Sequence, residues 1–324
     1  MSTYVQIFGQ KVLVTSSDPS NPTVGQMWYN STSKVLKFLG TTTSSAWASG
    51  GNMATARYSL GGAGTQTAAI AFNGQVPGPG ANTTATEEYD GTSWTAGGSM
   101  ATAREQLGGT GTQTSALAFG GTPSPTATEE YDGTSWTAGG NLGTGRTALA
   151  GAGTQTSALA FGGFPPTPST GATEEYDGTS WTSGGTMATA RVQLAGAGTQ
   201  TSGLAAGGNL NPGNSAATEE YDGTSWTSGG TMATARIQLA GAGLQTSALV
   251  FGGNIPPNVQ SATEAYNGTS WTNETSMSTA RTLLAGAKAG TQSSTAAFGG
   301  IPSGAATEEF TGAGAPVTKT VTAT

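Results

Sequence analysis

The chain has 324 residues, a formal charge of −7 and only 9% charged residues, with glycine, alanine, serine and threonine dominant. Cysteine and histidine are both absent, which removes disulfides, thiolate catalysis, imidazole general bases and the usual zinc ligands together. The acidic balance argues against nucleic acid and anionic membranes as partners, because both call for a basic surface.

Met1-Ser2-Thr3-Tyr4-Val5-Gln6 shows no basic stretch followed by an apolar run, and no segment approaches the roughly 18 apolar residues of a membrane helix. The expectation is a soluble product without a signal peptide or membrane insertion. The Asn-x-Ser/Thr triplets at Asn30, Asn82, Asn267 and Asn273 then carry no glycosylation meaning. From Trp47 onward a tryptophan precedes an arginine by ten residues six times: Trp47/Arg57, Trp94/Arg104, Trp136/Arg146, Trp181/Arg191, Trp226/Arg236 and Trp271/Arg281. A glycine follows the arginine by seventeen residues in the first five units and by nineteen in the sixth, at Gly300. Low-complexity composition raises the alternative of a disordered chain, but aromatics returning in register argue against it. A period of roughly 40–50 residues with these marks is that of propeller blades.

The unit that starts at Arg191 serves as the specimen. Residues 191–198 read as a first strand, small enough to crowd a central axis; 199–201 form a turn, and 202–206 a second strand stopped by Gly207-Gly208. Residues 209–216 are a loop, and 217–221 a third strand. Asp222-Gly223 reads as a tight hairpin with both residues at positive φ, and Trp226 opens the fourth strand. Tyr and Trp are expected to fill the gaps between blades. The repeated Asp-Gly-Thr-Ser invites a calcium reading, yet a turn explains all four residues and Asn267 replaces Asp in one unit. The last unit stops near Thr311-Gly312, with Ala315 where a tryptophan is due, while Trp47 lacks the preceding tyrosine. The expected solution is an N-terminal strand that completes the last blade and removes open edges.

Phe119-Gly120-Gly121, Glu129-Glu130-Tyr131-Asp132 and Trp136, repeated around the chain with departures at Asn73, Ala265, Asn267 and Phe310, resemble the kelch-repeat propellers. The resemblance runs from about Trp47 to Phe310. It implies an all-β fold, and the six units make this a six-bladed propeller of four-stranded antiparallel blades at 41–312, with a β segment at 1–40 before it and a tail at 313–324 after it. A copper-radical oxidase of that fold would need the missing Cys and His. Residues 22–38, with Gly25-Gln26-Met27-Trp28-Tyr29-Asn30, a polar turn and Leu36-Lys37, are similar to segments of bacteriophage tail-fibre and other virion proteins.

Function is expected on the face that carries the links between units, because loop length varies there. From glycine to glutamate the loops run 74 to 87, 121 to 129, 163 to 174, 208 to 219, 253 to 264 and 300 to 308. Phe164, Pro165, Asn209, Asn211, Asn254 and Pro256 are the loop candidates. Arg57, Arg104, Arg146, Arg191, Arg236 and Arg281 fall on the same face. They either grip an anionic glycan as a ring or are neutralised by the repeated glutamates Glu87, Glu129, Glu174, Glu219, Glu264 and Glu308, and pairing is the favoured alternative. No catalytic residue, metal or cofactor is expected; the carboxylates repeat by blade and do not form a unique pair across a cleft, as a glycosidase requires. The combined reading is a non-enzymatic virion protein made in the host cytoplasm, foremost a tail-fibre or tail-tip adhesin. Residues 1–40 would contact other virion proteins, the loops a host-surface saccharide or protein, and homo-oligomerisation on the particle is compatible with this. The alternatives are capsid or tail decoration and a cellular protein-interaction scaffold.

Overall fold

The computed structural model describes residues 3–7, 10–41, 44–78, 81–165, 169–314 and 316–321. Every regular element among them is a β-strand. They divide into two compact units, Ala46–Phe310 and Met1–Ser45 with Thr311–Thr324.

The larger unit holds six four-stranded antiparallel sheets, an arrangement consistent with a β-propeller. The first five occupy residues 61–96, 108–138, 150–183, 195–228 and 240–274, each with its strands side by side in chain order. In the sixth, Ala285–Gly286, Ser294–Phe298 and Thr307–Thr311 are joined by Ala46–Ser49, so the strand bearing Trp47 does lie in the last sheet.

Crowding among the first strands of the sheets explains their composition. A Cβ on Gly196 would lie 2.6 Å from the Gly151 carbonyl oxygen, and one on Gly241 would lie 2.9 Å from that of Gly196. Neighbouring backbones come too close for even a methyl group. The fourth sheet begins at Ala195, later than the pattern from Arg191 suggests. Gln193 adopts φ 56°, which turns the chain before the strand starts. The Asp-Gly-Thr-Ser segments also differ from the two-residue hairpin. Tyr221 pairs with Trp226 across a four-residue loop in which only Gly223, at φ 91°, is left-handed. Asp222 Oδ1 accepts from the amides of Thr224 and Ser225 (both 2.8 Å), and these bonds hold the carboxyl below its ordinary pKa.

The seams between sheets repeat one set of contacts. Each tryptophan donates its indole N–H to a threonine of the preceding sheet, as Trp181 does to Thr128 at 2.9 Å, while its ring packs 5.0 Å from Phe119. Tyrosine hydroxyls cross the same seams to the second glutamate of the pair: Tyr131 to Glu88, Tyr176 to Glu130, Tyr221 to Glu175, Tyr266 to Glu220 and Tyr89 to Glu309. Burial and the carboxylate together push the Tyr89 phenol up to about 12. Between the fifth and sixth sheets the motif changes at three positions. Phe310 stands for the tyrosine, Ala265 for the glutamate, and Glu274 for the glycine whose Cβ would meet the hydroxyl elsewhere (2.8 Å at Gly229 and Tyr266). A hydroxyl, its acceptor and the gap that admits it are lost as a set.

The smaller unit is a five-stranded sheet in which Pro316–Val321 pairs with Val35–Thr41. The expected separate tail at 313–324 is therefore corrected: its described strand belongs to the N-terminal sheet, because Val35–Thr41 otherwise leaves an open edge. Asp18 organises the adjacent loop. It accepts from Trp28 Nε1 (3.0 Å), Asn30 Nδ2 (2.9 Å) and Lys37 Nζ (2.7 Å), and these donors, Lys37 foremost, pull its carboxyl down to about 2.

The altered seam yields a test by urea unfolding. Phe310→Tyr alone is expected to lower stability by about 1–3 kcal/mol, the cost of a polar group without its partner. Adding Ala265→Glu and Glu274→Gly to the same chain should recover most of that loss. Equal loss in the single and triple variants would contradict the seam as described.

Candidate functional site

The six arginines lie where the links between units meet the loops, and all have 0% exposed side chains. In the fourth unit Arg191 Nη1 donates to the carbonyls of Gly207 (2.9 Å) and Ala217 (2.7 Å), the two residues at which the variable loop leaves and rejoins the sheet. Nη2 donates to Glu219 Oε1 at 3.0 Å. Glu219 in turn accepts from the link amides of Ala188 (2.7 Å) and Thr189 (3.3 Å). The same bridge spans Asn73 and Ala85 at Arg57, Gly120 and Ala127 at Arg104, and Gly299 and Ala306 at Arg281. One guanidinium thus closes the base of a loop whatever its length.

The anion-ring alternative is corrected by this geometry. Both Nη groups of each guanidinium are occupied, only Nε meeting no acceptor among the described residues; all are withdrawn from solvent, and each is matched by a glutamate 2.7–3.0 Å away. Burial lowers the arginine pKa values and the facing glutamates oppose the shift. A guanidinium remains cationic at neutral pH under such shifts. Among the described residues, no group of three or more acidic side chains is placed to hold a metal ion.

Two residues beyond each arginine, Ser59, Gln106, Ala148, Gln193, Gln238 and Leu283 all adopt φ between 53° and 57°. Each backbone N–H donates to the carbonyl of its counterpart in the preceding unit: Gln106 to Ser59 (2.9 Å), Ala148 to Gln106, Gln193 to Ala148 and Gln238 to Gln193 (each 2.8 Å), and Leu283 to Gln238 (3.2 Å). The run returns where Ser59 N donates to Leu283 O at 2.9 Å. Left-handed backbone costs a non-glycine residue about 1–2 kcal/mol, and here it aims N–H and C=O sideways at the two neighbours. These six residues and the six leucines that follow them rim a shallow mouth.

Beside that mouth a groove of about 310 Å³ is lined by Gln106, Gln193, Asn209, Asn211, Phe164 and Val192, with Thr147 and Ala148 between them. A second cleft of about 220 Å³ shares Thr147 and Phe164 and continues to Pro165 and Pro125. Phe164 is half-buried between the two, held by reciprocal backbone bonds with Thr147 (2.9 and 2.8 Å). Asn209 fixes the turn above by accepting from the Asn211 amide at 2.6 Å. The carboxamides of Gln106 and Gln193 are half-buried and meet no protein partner among the described residues. Among the described residues, no charged side chain lines either cleft.

Of the loop candidates, Phe164, Pro165, Asn209 and Asn211 come together here. Asn254 and Pro256 do not; they belong to a small hairpin, Asn254–Ile255 with Asn258–Val259, in the next unit. Residues 166–168 of the Pro-rich loop lie outside the described residues. Sequence reasoning missed Gln106 and Gln193. The signal was available: the position two past the arginine varies among units, whereas the leucine after it does not. No family model matches the chain, and no curated protein matches it significantly.

Removing one member of a buried ion pair typically costs about 3–5 kcal/mol, because the remaining charge is stranded. Arg191→Gln is expected to fall in that range by chemical denaturation. Unaltered stability would contradict the buried pair as a structural clamp.

Proposed function

We propose that the chain is a non-enzymatic bacteriophage virion component, a tail-fibre or tail-tip adhesin, whose six sheets form a closed kelch-like propeller that binds a neutral host-surface saccharide. Closure is supported by the run of axial hydrogen bonds that comes back to Ser59, and by Tyr89 and Trp94 reaching Glu309 and Thr307 of the sixth sheet. The kelch-like character is supported by the repeated Gly-Gly, Glu-x-Tyr-Asp and Trp. The virion context rests on the similarity of residues 22–38 to tail-fibre segments, with residues 1–40 as the part that docks to other virion proteins.

One observation carries the saccharide: an uncharged groove in which two free carboxamides flank a phenylalanine. Amides both donate and accept and so match sugar hydroxyls, and an aromatic face covers the apolar side of a pyranose ring. Rigid sheets beneath variable loops are the usual carriers of recognition. The bound state involves no charge from the groove, so the affinity should not depend on salt.

The test is adsorption of the purified chain to host cells and to their purified surface polysaccharide. Gln193→Ala and Phe164→Ala are each expected to weaken binding about tenfold, the effect of roughly 1.4 kcal/mol, without lowering the thermal midpoint. Adsorption indifferent to both changes, or abolished by moderate salt, would contradict the saccharide reading. Absence of the chain from purified particles would contradict the virion assignment.

A further inference from the structure

The sixth unit carries two residues that the other five lack. Ala285-Gly286-Ala287-Lys288-Ala289-Gly290 stands where the fourth unit has Ala195-Gly196-Ala197-Gly198, and this insertion accounts for the longer spacing from Arg281 to Gly300. The extra pair shortens the regular inner strand to Ala285–Gly286, and Ala289 N is bonded instead to Gly64 O at 2.8 Å. Nothing in the repeat demands a lysine here.

The Lys288 side chain enters a chamber of about 100 Å³ lined by the inner strands of the sheets. Its ammonium donates to Gly151 O of the third sheet at 3.2 Å. No other titratable side chain lines the chamber, and Lys288 takes part in none of the ion pairs among the described residues. With only desolvation acting, its pKa falls to about 8. Lys288 is half-buried, and a cation partly withdrawn from water without a counter-charge is costly.

The chamber also presents donors. Each inner strand is the edge of its sheet. In the first sheet the two-residue turn pairs Thr65 with Ala68, so Gly61 and Ala63 exchange ladder bonds while Gly62 directs its N–H and C=O to the open edge. Gly109, Gly196 and Gly241 hold the same register position and line the same space. Since a water occupies about 30 Å³ of liquid, there is room for an ion with part of its hydration shell.

We propose that this chamber binds one small inorganic anion, of the size and charge of chloride, between the Lys288 ammonium and the edge N–H groups of the inner-strand glycines. The anion supplies the counter-charge that the protein omits and draws together strands from opposite sheets. Binding requires the protonated amine and therefore weakens as pH rises through and beyond the Lys288 pKa, with no second titrating group in the lining.

The test uses the full chain. Crystals soaked in bromide should show an anomalous peak in the chamber within hydrogen-bond distance of Lys288 Nζ. In solution at pH 7, chloride should raise the thermal midpoint above that in sodium gluconate of equal ionic strength, with a logarithmic rise once the site is saturated. That increment should vanish in Lys288→Met, which removes an uncompensated charge and is expected to be at least as stable as the parent in gluconate. Equal chloride increments in parent and variant, or a chamber without bromide, would overturn the site. If the variant does not fold, the bromide peak in the parent decides.

Discussion

A buried arginine paired with a buried glutamate fixes the geometry on which the rest of the larger unit depends. Three roles meet in that pair: Nη1 ties the two ends of a variable loop, Nη2 meets the carboxylate, and the carboxylate holds the amides of the incoming link. Burying such a pair does not by itself add stability, since desolvation offsets the attraction. Its value is geometric. The loop base is defined by charge-assisted bonds that do not involve the loop's own residues, so the span between clamped carbonyls can range from 120–127 to 73–85 without change in the sheet beneath.

The sparse use of charge follows the same logic. The repeat glutamates stand in adjacent pairs with opposite duties. The first, such as Glu129, serves the arginine of its own unit, and the second, such as Glu130, receives the tyrosine of the next. Glutamines of the turns between first and second strands act similarly: Gln155 Nε2 reaches Ala116 O (3.1 Å) and Tyr131 O (2.6 Å) across a seam. With side chains this specific at each seam, the inner strands can be reduced to glycine and alanine, and the space that they line is left to backbone groups and Lys288.

Much of this was legible because a repeat compares a chain with itself. The Trp-to-Arg spacing located the sheets, the missing terminal tryptophan placed Trp47 in the last of them, and the recurring Glu opposite each Arg favoured pairing over an anion ring. Three kinds of feature were not legible. The left-handed residues after each arginine include Gln, Ala, Ser and Leu, which carry no turn signal, because the conformation is imposed by neighbouring units and not by local preference. The pairing of Pro316–Val321 with Val35–Thr41 joins segments nearly three hundred residues apart in a region without repeats. The groove arises from parts of several units, so loop composition identified Phe164 and Asn209 but not the glutamines that complete it.

The central claim is that the arginine clamp makes each loop base as resistant to opening as the sheet below it, leaving only the loop tip free to vary. Native-state amide hydrogen exchange in the fourth unit measures this directly. The amides of Gly207 and Gly208, which are bonded to Ala217 O and Arg236 O, should exchange as slowly as that of the buried Leu204, while that of Gly213 at the loop tip exchanges far faster. Loop-base amides that exchange as fast as the tip would contradict the clamp.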